Sequence, residues 1–228
     1  KEFLKENKKV LILTHSRTLP IAIRQRYFNN EKFENLRIES AFQWTANMAR
    51  RKNYNSREIL DKHKDKQLQF NVGFPELLMH LLDNFITEED KYDSVIVDEG
   101  QRFSDEWWIC IDNIKRKNGF LYVFYDPNQT LKNQKTSDFL IEENNNVYPL
   151  DLNFRNTKKI FEFNKKLYTG FDIESAGPEG RDPEWIRIKT IEDQNKQITL
   201  KIKQLLNEGI NINDIAIINF GPVGEKGG

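Results

Sequence analysis

A short apolar run that ends in two adjacent carboxylates is the feature that most constrains this chain. Residues 95–97 (Val-Ile-Val) are followed at once by Asp98 and Glu99. Such a run is typical of a strand in a parallel sheet, because helices cover both faces of that kind of sheet. Ligands of open α/β sheets bind beyond the carboxyl ends of the strands. Two acids there suit a divalent metal and an activated water, although acids also follow strands simply because strands end at solvent.

Composition narrows the class of protein. The 228 residues include 38% hydrophobic residues and equal numbers of basic and acidic side chains, 35 of each. A formal net charge of zero argues against an indiscriminate basic nucleic-acid binder, but it leaves room for a local basic groove. The single cysteine, Cys110, excludes an intrachain disulfide and is consistent with a reducing, cytoplasmic location. No apolar run approaches the ~20 residues of a membrane span, so we expect no membrane partner.

Predicted strands and helices alternate along the chain, which favours βαβ units and a parallel α/β sheet flanked by helices. The strands are predicted at 9–14, 36–40, 92–98, 120–125, 147–152, 185–189 and 214–219. The helices are predicted at 18–28, from about 42 to 49, from 75 to about 82, at 104–114, from 156 or 157 to about 167, and at 191–208. The charged residues 50–70 are interpreted as a solvated helical face or a loop.

Three of the predicted strands end in similar polar groups. They are Thr14, His15, Ser16 and Arg17 after the first strand, Asp98, Glu99 and Gln101 after the second, and Asp126, Asn128 and Gln129 after the third. The carboxyl ends of parallel strands meet at one edge of the sheet, so we expect these side chains to converge. His15 is expected to serve as a local hydrogen-bonding residue rather than a catalyst.

Four segments, taken in order, carry a family resemblance. They are LTHSRTL at 13–19, VDEGQRF at 97–103, FYDPNQTL at 124–131 and LNFRNTKKIFEFN at 152–164. This set resembles motifs Ia, II, III and IV of UvrD/Rep-type superfamily 1 DNA helicases, in particular bacterial members that carry DEGQ. The resemblance implies a RecA-like P-loop NTPase fold. Residues 1–154 would form the first RecA-like domain, with a small helical insertion at about 41–91, and 155–228 would begin the second.

The resemblance also implies roles for individual residues. Asp98 would hold Mg²⁺, and Glu99 would orient and deprotonate the attacking water. Gln101 would couple the nucleotide site to neighbouring motifs, while Asp126 and Gln129 would sense the γ-phosphate. Arg155 would reach the γ-phosphate from the domain boundary. Thr14, Ser16 and Arg17 would touch the backbone of single-stranded DNA.

The sequence differs from the family pattern at three places, and these differences change the activity that we expect of this chain. No GxxxxGK[ST] phosphate loop occurs in the sequence, Arg102 stands where the family has Asp after DEGQ, and Tyr125 stands where Gly is common. A phosphate loop supplies the backbone amides and the lysine that hold the phosphates. We therefore expect a central fragment of a helicase or translocase whose intact parent binds Mg²⁺ and ATP. This chain would bind neither tightly and would show no measurable ATPase activity.

Two rival interpretations remain open. In the first, the chain is a non-catalytic DNA-binding or interaction module on a degenerate helicase scaffold. Arg102 and the missing phosphate loop favour this interpretation. In the second, the chain is a metal-dependent nuclease that uses Asp98, Glu99 and Asp126. This interpretation is less favoured, because the helicase motifs already explain these acids. The expected partners of the fragment are single-stranded DNA, duplex junctions, and the N-terminal and C-terminal parts of the same protein.

Overall fold

Four strands form a parallel sheet in the computed structural model, which describes residues 2–129, 137–141, 146–168 and 172–218. The strands are β1 (Val10–Thr14), β2 (Leu36–Ser40), β3 (Tyr92–Val97) and β4 (Lys115–Val123). Their order in the sheet is β2-β1-β3-β4, and all three pairings are parallel. The predicted α/β class and the parallel sheet are confirmed.

Helices connect and cover these strands, as parallel pairing requires. In the first part of the chain they are α1 (Glu2–Lys5), α2 (Leu19–Phe28), α3 (Ala41–Arg51), α4 (Arg57–Leu60), α5 (Lys66–Leu68), α6 (Phe74–Asn84), α7 (Asp105–Ile114) and α8 (Asp138–Ile141). A π-helical turn, Gln69–Gly73, joins α5 to α6, and short 3₁₀ turns follow β3 (Gly100–Arg102) and β4 (Pro127–Gln129). The charged stretch 50–70 is thus broken into short helical pieces.

One face of the sheet carries the core. Leu11, Val95 and Leu121 lie side by side in register on β1, β3 and β4, and Leu13, Val97 and Val123 form the next row. Large side chains from three helices pack on this face: Trp44 and Met48 of α3, Leu77, Leu78 and Leu81 of α6, and Trp107, Trp108, Ile111 and Ile114 of α7. Trp107 and Trp108, which are adjacent in sequence, are both buried in this core.

Local capping signals explain where several helices begin. Pro75 lies in the first turn of α6, where its fixed φ angle and missing N–H are tolerated. Thr157 caps a helix of the second unit, because its hydroxyl accepts from the Ile160 N–H. Ser104 occupies the N-cap position of α7, but its hydroxyl donates to the Asn71 carbonyl at 3.2 Å and forms no capping bond.

The chain divides into two compact units. The first contains Lys1–Asp151 with Tyr168–Asp172, and the second contains Leu152–Leu167 with Ile173–Gly228. In the second unit, β5 (Leu152–Asn153) pairs in parallel with β6 (Glu174–Ser175). This unit also has α9 (Lys158–Lys165), α10 (Ile191–Asn207) and a 3₁₀ turn at Ile212–Asp214. The predicted helix before Gly209 is confirmed, and Gly209 ends it with a φ of 85°.

Three predicted strands are wrong over the residues that the structure describes. Residues 147–151, 185–189 and 214–218 are not in strands, and only Leu152 of the first prediction pairs with another strand. Their apolar alternation favours extended backbone, but a strand also needs a neighbour with free hydrogen-bonding groups. Trp185 is 84% exposed, and no residue described in the second unit is fully buried. None of the described helices is long and apolar enough to cross a membrane.

Candidate functional site

A polar cleft lies at the carboxyl edge of the sheet, where β1, β3 and β4 end side by side. Its volume is about 640 Å³. The side chains that line it come from the turn after β1, the start of α2, and the loops after β3 and β4: His15, Ser16, Thr18, Leu19, Ala22, Glu99, Arg102 and Gln129. The geometry brings together residues from all three polar strand ends, although the first lies more than 80 positions before the other two in sequence.

The side chain of Gln101 connects two of the strand ends. It is almost fully buried, with 3% of its surface exposed. Its amide nitrogen donates to Oε2 of Glu99 at 2.8 Å, and its amide oxygen accepts from the backbone N–H of Asp126 at 3.1 Å. The loop after β3 is thereby tied to the loop after β4.

The loop after β4 has its own polar contact. Gln129 lies in the 3₁₀ turn Pro127–Gln129, and its side-chain nitrogen donates to Oδ2 of Asp126 at 2.9 Å. Asp126 therefore has its backbone bound to Gln101 and its carboxylate bound to Gln129. Asn128 belongs to the same turn. The structure thus brings Gln101, Asp126 and Gln129 into one hydrogen-bonded chain beside Glu99.

The backbone at Glu99 and Gly100 is unusual. Glu99 has a φ of 58°, in the left-handed region that side chains with a Cβ rarely adopt. At Gly100 the loop passes close to β4, since its N–H donates to the Phe124 carbonyl at 2.9 Å. A Cβ on Gly100 would lie 2.5 Å from Cγ1 of Val123, so any larger residue there would force the Val123 side chain to move. Strained backbone at a polar cleft is a common mark of a functional site.

Asp98 is half-buried directly after β3. Its backbone N–H donates to the Leu13 carbonyl at 2.9 Å, which continues the pairing of β3 with β1. Burial raises the pKa of its carboxyl group, and the neighbouring charge of Glu99 raises it further. A bound cation would relieve both effects. The described residues contain no group of three His, Cys, Asp or Glu side chains arranged to hold a metal ion.

Arg102 places a cation next to the candidate catalytic acid. Its Nε lies 4.0 Å from Oε2 of Glu99 across a partly exposed ion pair. Glu99 Oε2 therefore faces both the Gln101 amide and the Arg102 guanidinium. The charge reversal noted in the sequence, an Arg in place of an Asp, thus acts directly on the acid of this cleft.

Within the described residues the His15 ring makes aromatic contacts, and its expected role as a local hydrogen-bonding residue stays a prediction. The imidazole lies edge-on to Phe70 at 4.7 Å and to Phe103 at 6.2 Å between ring centroids. Burial lowers the pKa of His15, Arg102 lowers it further, and Glu99 opposes the change. Phe70 comes from the charged stretch 50–70, where nothing in the sequence pointed to the cleft.

The turn after β1 holds the three residues predicted to touch DNA. Thr14 is fully buried, and its hydroxyl donates to the Ser16 carbonyl at 2.7 Å. Ser16 accepts from the Thr18 N–H at 3.2 Å and orders the start of α2. The Arg17 guanidinium lies over the Phe42 ring, 4.4 Å from its centroid. Ser16 and Arg17 are presented at the surface, whereas Thr14 stabilises the turn from inside.

Arg17 also lines a second groove, between α2 and α3, which the sequence did not reveal. The groove has a volume of about 690 Å³. Its polar lining consists of Arg17, Arg24, Glu39, Gln43, Asn47 and Arg50, and Phe42 and Phe74 contribute aromatic surface. The Arg24 guanidinium donates to the Ile38 carbonyl, which ties the head of this side chain to β2. Three arginines outnumber the one carboxylate, so the groove is locally basic although the chain is neutral.

Arg155 belongs to the second unit. It is exposed in the turn between β5 and α9, where the backbone N–H groups of Arg155 and Asn156 donate to Oδ1 of Asn153 at 3.2 and 3.0 Å. This turn and the Thr157 cap fix the backbone around Arg155, whose side chain is exposed. Its predicted contact with a γ-phosphate stays a prediction.

The fold and site define an α/β unit with a polar cleft at the carboxyl edge of a parallel sheet. No protein-family model matches the chain. A search of the curated proteins found no similar sequence. The helicase resemblance therefore depends on the four motifs and on the geometry of the cleft.

Proposed function

We propose that this chain is the central part of an ATP-dependent DNA helicase or translocase of the UvrD-like superfamily 1, built on the RecA-like P-loop NTPase fold. In such a protein, ATP hydrolysis drives movement along single-stranded DNA in the cytoplasm. The observation that carries the proposal is the Gln101 bridge, which ties the Glu99 carboxylate to the backbone of Asp126. The resemblance gives Glu99 the role of activating water and Asp126 that of sensing the phosphate, so a hydrogen-bonded connection between their loops supports a motor.

The acid pair supports a Mg²⁺ site. Mg²⁺ is commonly held by one or two carboxylates together with substrate phosphates, so Asp98 beside Glu99 is a sufficient protein contribution. The raised pKa of Asp98 fits a group that meets a cation in the working protein. Mg²⁺ would neutralise charge on the phosphates of ATP. Glu99 would orient a water and accept its proton, and Gln129 would report the state of the phosphate through Asp126.

The basic groove between α2 and α3 supports a nucleic-acid partner. Arg17, Arg24 and Arg50 are suited to phosphate oxygens, because a guanidinium offers several donors in a fixed plane. Phe42 lies beneath Arg17 and adds an aromatic surface at the groove. Such a groove follows a backbone without reading its sequence. We therefore propose single-stranded DNA as the ligand, with Ser16 and Arg17 at one end of its path.

A non-catalytic DNA-binding module on a helicase scaffold is the second candidate. The ion pair between Arg102 and Glu99 favours this candidate, because the Arg102 guanidinium already supplies positive charge that a bound metal would otherwise supply. The chain also contains no phosphate-loop sequence. Both candidates predict DNA binding, but they differ in ATP turnover by the protein that contains this chain.

The DNA-binding part is tested by fluorescence anisotropy with a labelled oligonucleotide at several salt concentrations. We expect binding that weakens with salt, and at least about tenfold weaker binding when Arg17, Arg24 and Arg50 are all replaced by Ala. The matched control, which removes the same charge elsewhere, carries Ala at Arg57, Lys64 and Lys66. Equal losses in the two triple variants would contradict the groove as the binding site.

ATP turnover separates the two candidates. We expect no turnover by this chain alone. We expect Mg²⁺-dependent and DNA-stimulated turnover when the chain is joined to a segment carrying a phosphate loop. Glu99→Gln should abolish that turnover while DNA binding by the groove persists. DNA binding in a joined protein that never hydrolyses ATP would favour the non-catalytic module.

A further inference from the structure

Arg102 brings a positive charge into a cleft whose predicted functional groups are mainly acids and amides. It ends the 3₁₀ turn Gly100–Arg102, where its backbone N–H donates to the Glu99 carbonyl at 2.9 Å. Its side chain lines the cleft, with 30% of its surface exposed. The charge of Arg102 also reaches His15, another residue of the lining, because it helps to lower the pKa of that imidazole. The cleft therefore contains a cation that a ligand can reach.

The ion pair with Glu99 does not occupy the hydrogen-bond donors of Arg102. Nε of Arg102 lies 4.0 Å from Oε2 of Glu99, whereas a charge-assisted N–H···O hydrogen bond spans ~2.7–2.9 Å. The same Oε2 already accepts from the Gln101 amide at 2.8 Å. Both side chains of the pair are partly exposed, so their attraction is weak. The guanidinium can therefore turn to another oxyanion, and its planar donors match a phosphate.

Two hydroxyl groups of the cleft offer a further donor. Oγ of Ser16 accepts from the Thr18 N–H at 3.2 Å and lies 3.0 Å from Oγ1 of Thr18. One hydroxyl hydrogen is used between the two oxygens, so the other hydroxyl hydrogen is left to donate to a ligand. Both residues are exposed, and both line the cleft. A neutral donor of this kind suits a phosphate oxygen in the same cleft as the Arg102 cation.

The cleft adjoins the basic groove at the turn after β1. Ser16 lines the cleft, and the next residue, Arg17, lines the groove and lies over Phe42. Consecutive Cα atoms are only ~3.8 Å apart, so a nucleic-acid backbone that leaves the groove at Arg17 reaches the cleft at Ser16. This continuity favours a phosphate of a strand over that of a free nucleotide. The chain also contains no phosphate-loop sequence to hold a nucleotide.

We propose that the nucleic-acid path continues from the groove past Ser16 into the cleft, where Arg102 binds a backbone phosphate. This inference rests on the proposed DNA binding, and it applies to the motor and to the non-catalytic module alike. The phosphate and Glu99 compete for one guanidinium, so a bound strand draws Arg102 away from Glu99. A nearby cation opposes proton uptake by a carboxylate. DNA in the cleft therefore makes the candidate catalytic acid a better base.

Fluorescence anisotropy with the whole chain and a labelled single-stranded oligonucleotide tests the contact. Each neutralised phosphate contributes about 0.7 to the slope of log K against log salt for a single strand. Arg102→Gln should reduce the slope by about that amount and weaken binding at least about threefold at low salt. Arg116→Gln is the matched control and should change neither quantity. Arg116 also pairs with an acid, Asp93 at 2.7 Å, and is 38% exposed, but it lies at the start of β4, whereas the cleft lies beyond the end of that strand.

The outcomes separate this inference from the proposed DNA binding. If Arg102→Gln and Arg116→Gln bind alike while the triple groove variant loses affinity, the path ends at the groove. The inference then fails, although the groove remains the binding site. If the native chain binds no DNA at any salt concentration, both proposals fail.

Changes in the DNA locate the phosphate itself. The shortest oligonucleotide that retains full affinity is prepared with one neutral methylphosphonate linkage at each position in turn. One position should weaken binding to the native chain but not to Arg102→Gln, because the contact is already lost in that variant. Equal losses for both proteins at every position would overturn the inference. Calorimetry with ATP checks the source of the phosphate: ATP binding by the native chain that Arg102→Gln removes would assign Arg102 to a nucleotide and overturn the inference.

Discussion

The buried amide of Gln101 donates to the Glu99 carboxylate across 2.8 Å, and both residues lie in the short turn that follows β3. The other end of the same amide accepts from the backbone N–H of Asp126. One side chain therefore sets the position of the candidate catalytic acid relative to the neighbouring loop.

Gln101→Ala should destabilise the chain by roughly 1–3 kcal/mol, because it leaves the Asp126 N–H without its side-chain acceptor in a partly buried place. Equilibrium unfolding in urea measures the change. Gln129→Ala is the matched control: Gln129 is exposed, and among the described residues its side chain bonds to Asp126, so we expect a change within about 0.5 kcal/mol. A loss at Gln101 no larger than that at Gln129 would show that the bridge does not hold the loops.

Glu99→Gly should be more stable than Glu99→Ala by roughly 0.5–1 kcal/mol, because a φ of 58° strains a residue with a Cβ. Both variants lose the same contacts with Gln101 and Arg102, so the comparison isolates the backbone. Thermal unfolding of the two proteins measures the difference. If Ala proves the more stable residue, the left-handed conformation of Glu99 is not maintained in solution.

Asp98→Asn should raise stability near neutral pH, by about 0.5 kcal/mol once solvent screening at this half-buried site is allowed for. The folded state raises the pKa of Asp98, so it binds the proton more tightly than the unfolded chain does. The stability associated with this group is therefore present at low pH and is lost as pH rises through the folded pKa. Urea unfolding from pH 4 to 8 should show the advantage of Asn growing with pH. A constant difference would contradict this origin.

His15→Gln should reduce the loss of stability on acidification. Folding lowers the pKa of His15 below its ordinary value of 6.5, so the unfolded chain binds the proton more tightly. The stability of the native protein should then fall as pH decreases from about 6.5 through the folded pKa. The charged groups that face the imidazole are Arg102, which strengthens this effect, and Glu99, which opposes it. Identical pH profiles for the variant and the native chain, measured by thermal unfolding, would contradict the prediction.

Much of the first unit was predictable from local pattern. The apolar runs that became β1 and β3, the proline at the start of α6 and the buried tryptophan pair of α7 are all visible in the printed sequence. β4 is longer than predicted, since it begins at Lys115 with an irregular register between Tyr92 and Ser94. The ends of a strand depend on its register with the neighbouring strands, so they cannot be predicted from one segment alone.

The sequence by itself determined that polar groups would gather at one edge of a parallel sheet, because alternating strands and helices force parallel pairing and parallel strands end together. Only the tertiary structure decided which groups touch. It placed Gln101 between Glu99 and Asp126, set His15 against Phe70, and opened the basic groove between α2 and α3. It also left residues 185–189 unpaired despite their strand-like pattern. The reason is physical: local pattern fixes the tendency of a segment, whereas hydrogen bonds and side-chain packing depend on partners far away in the chain.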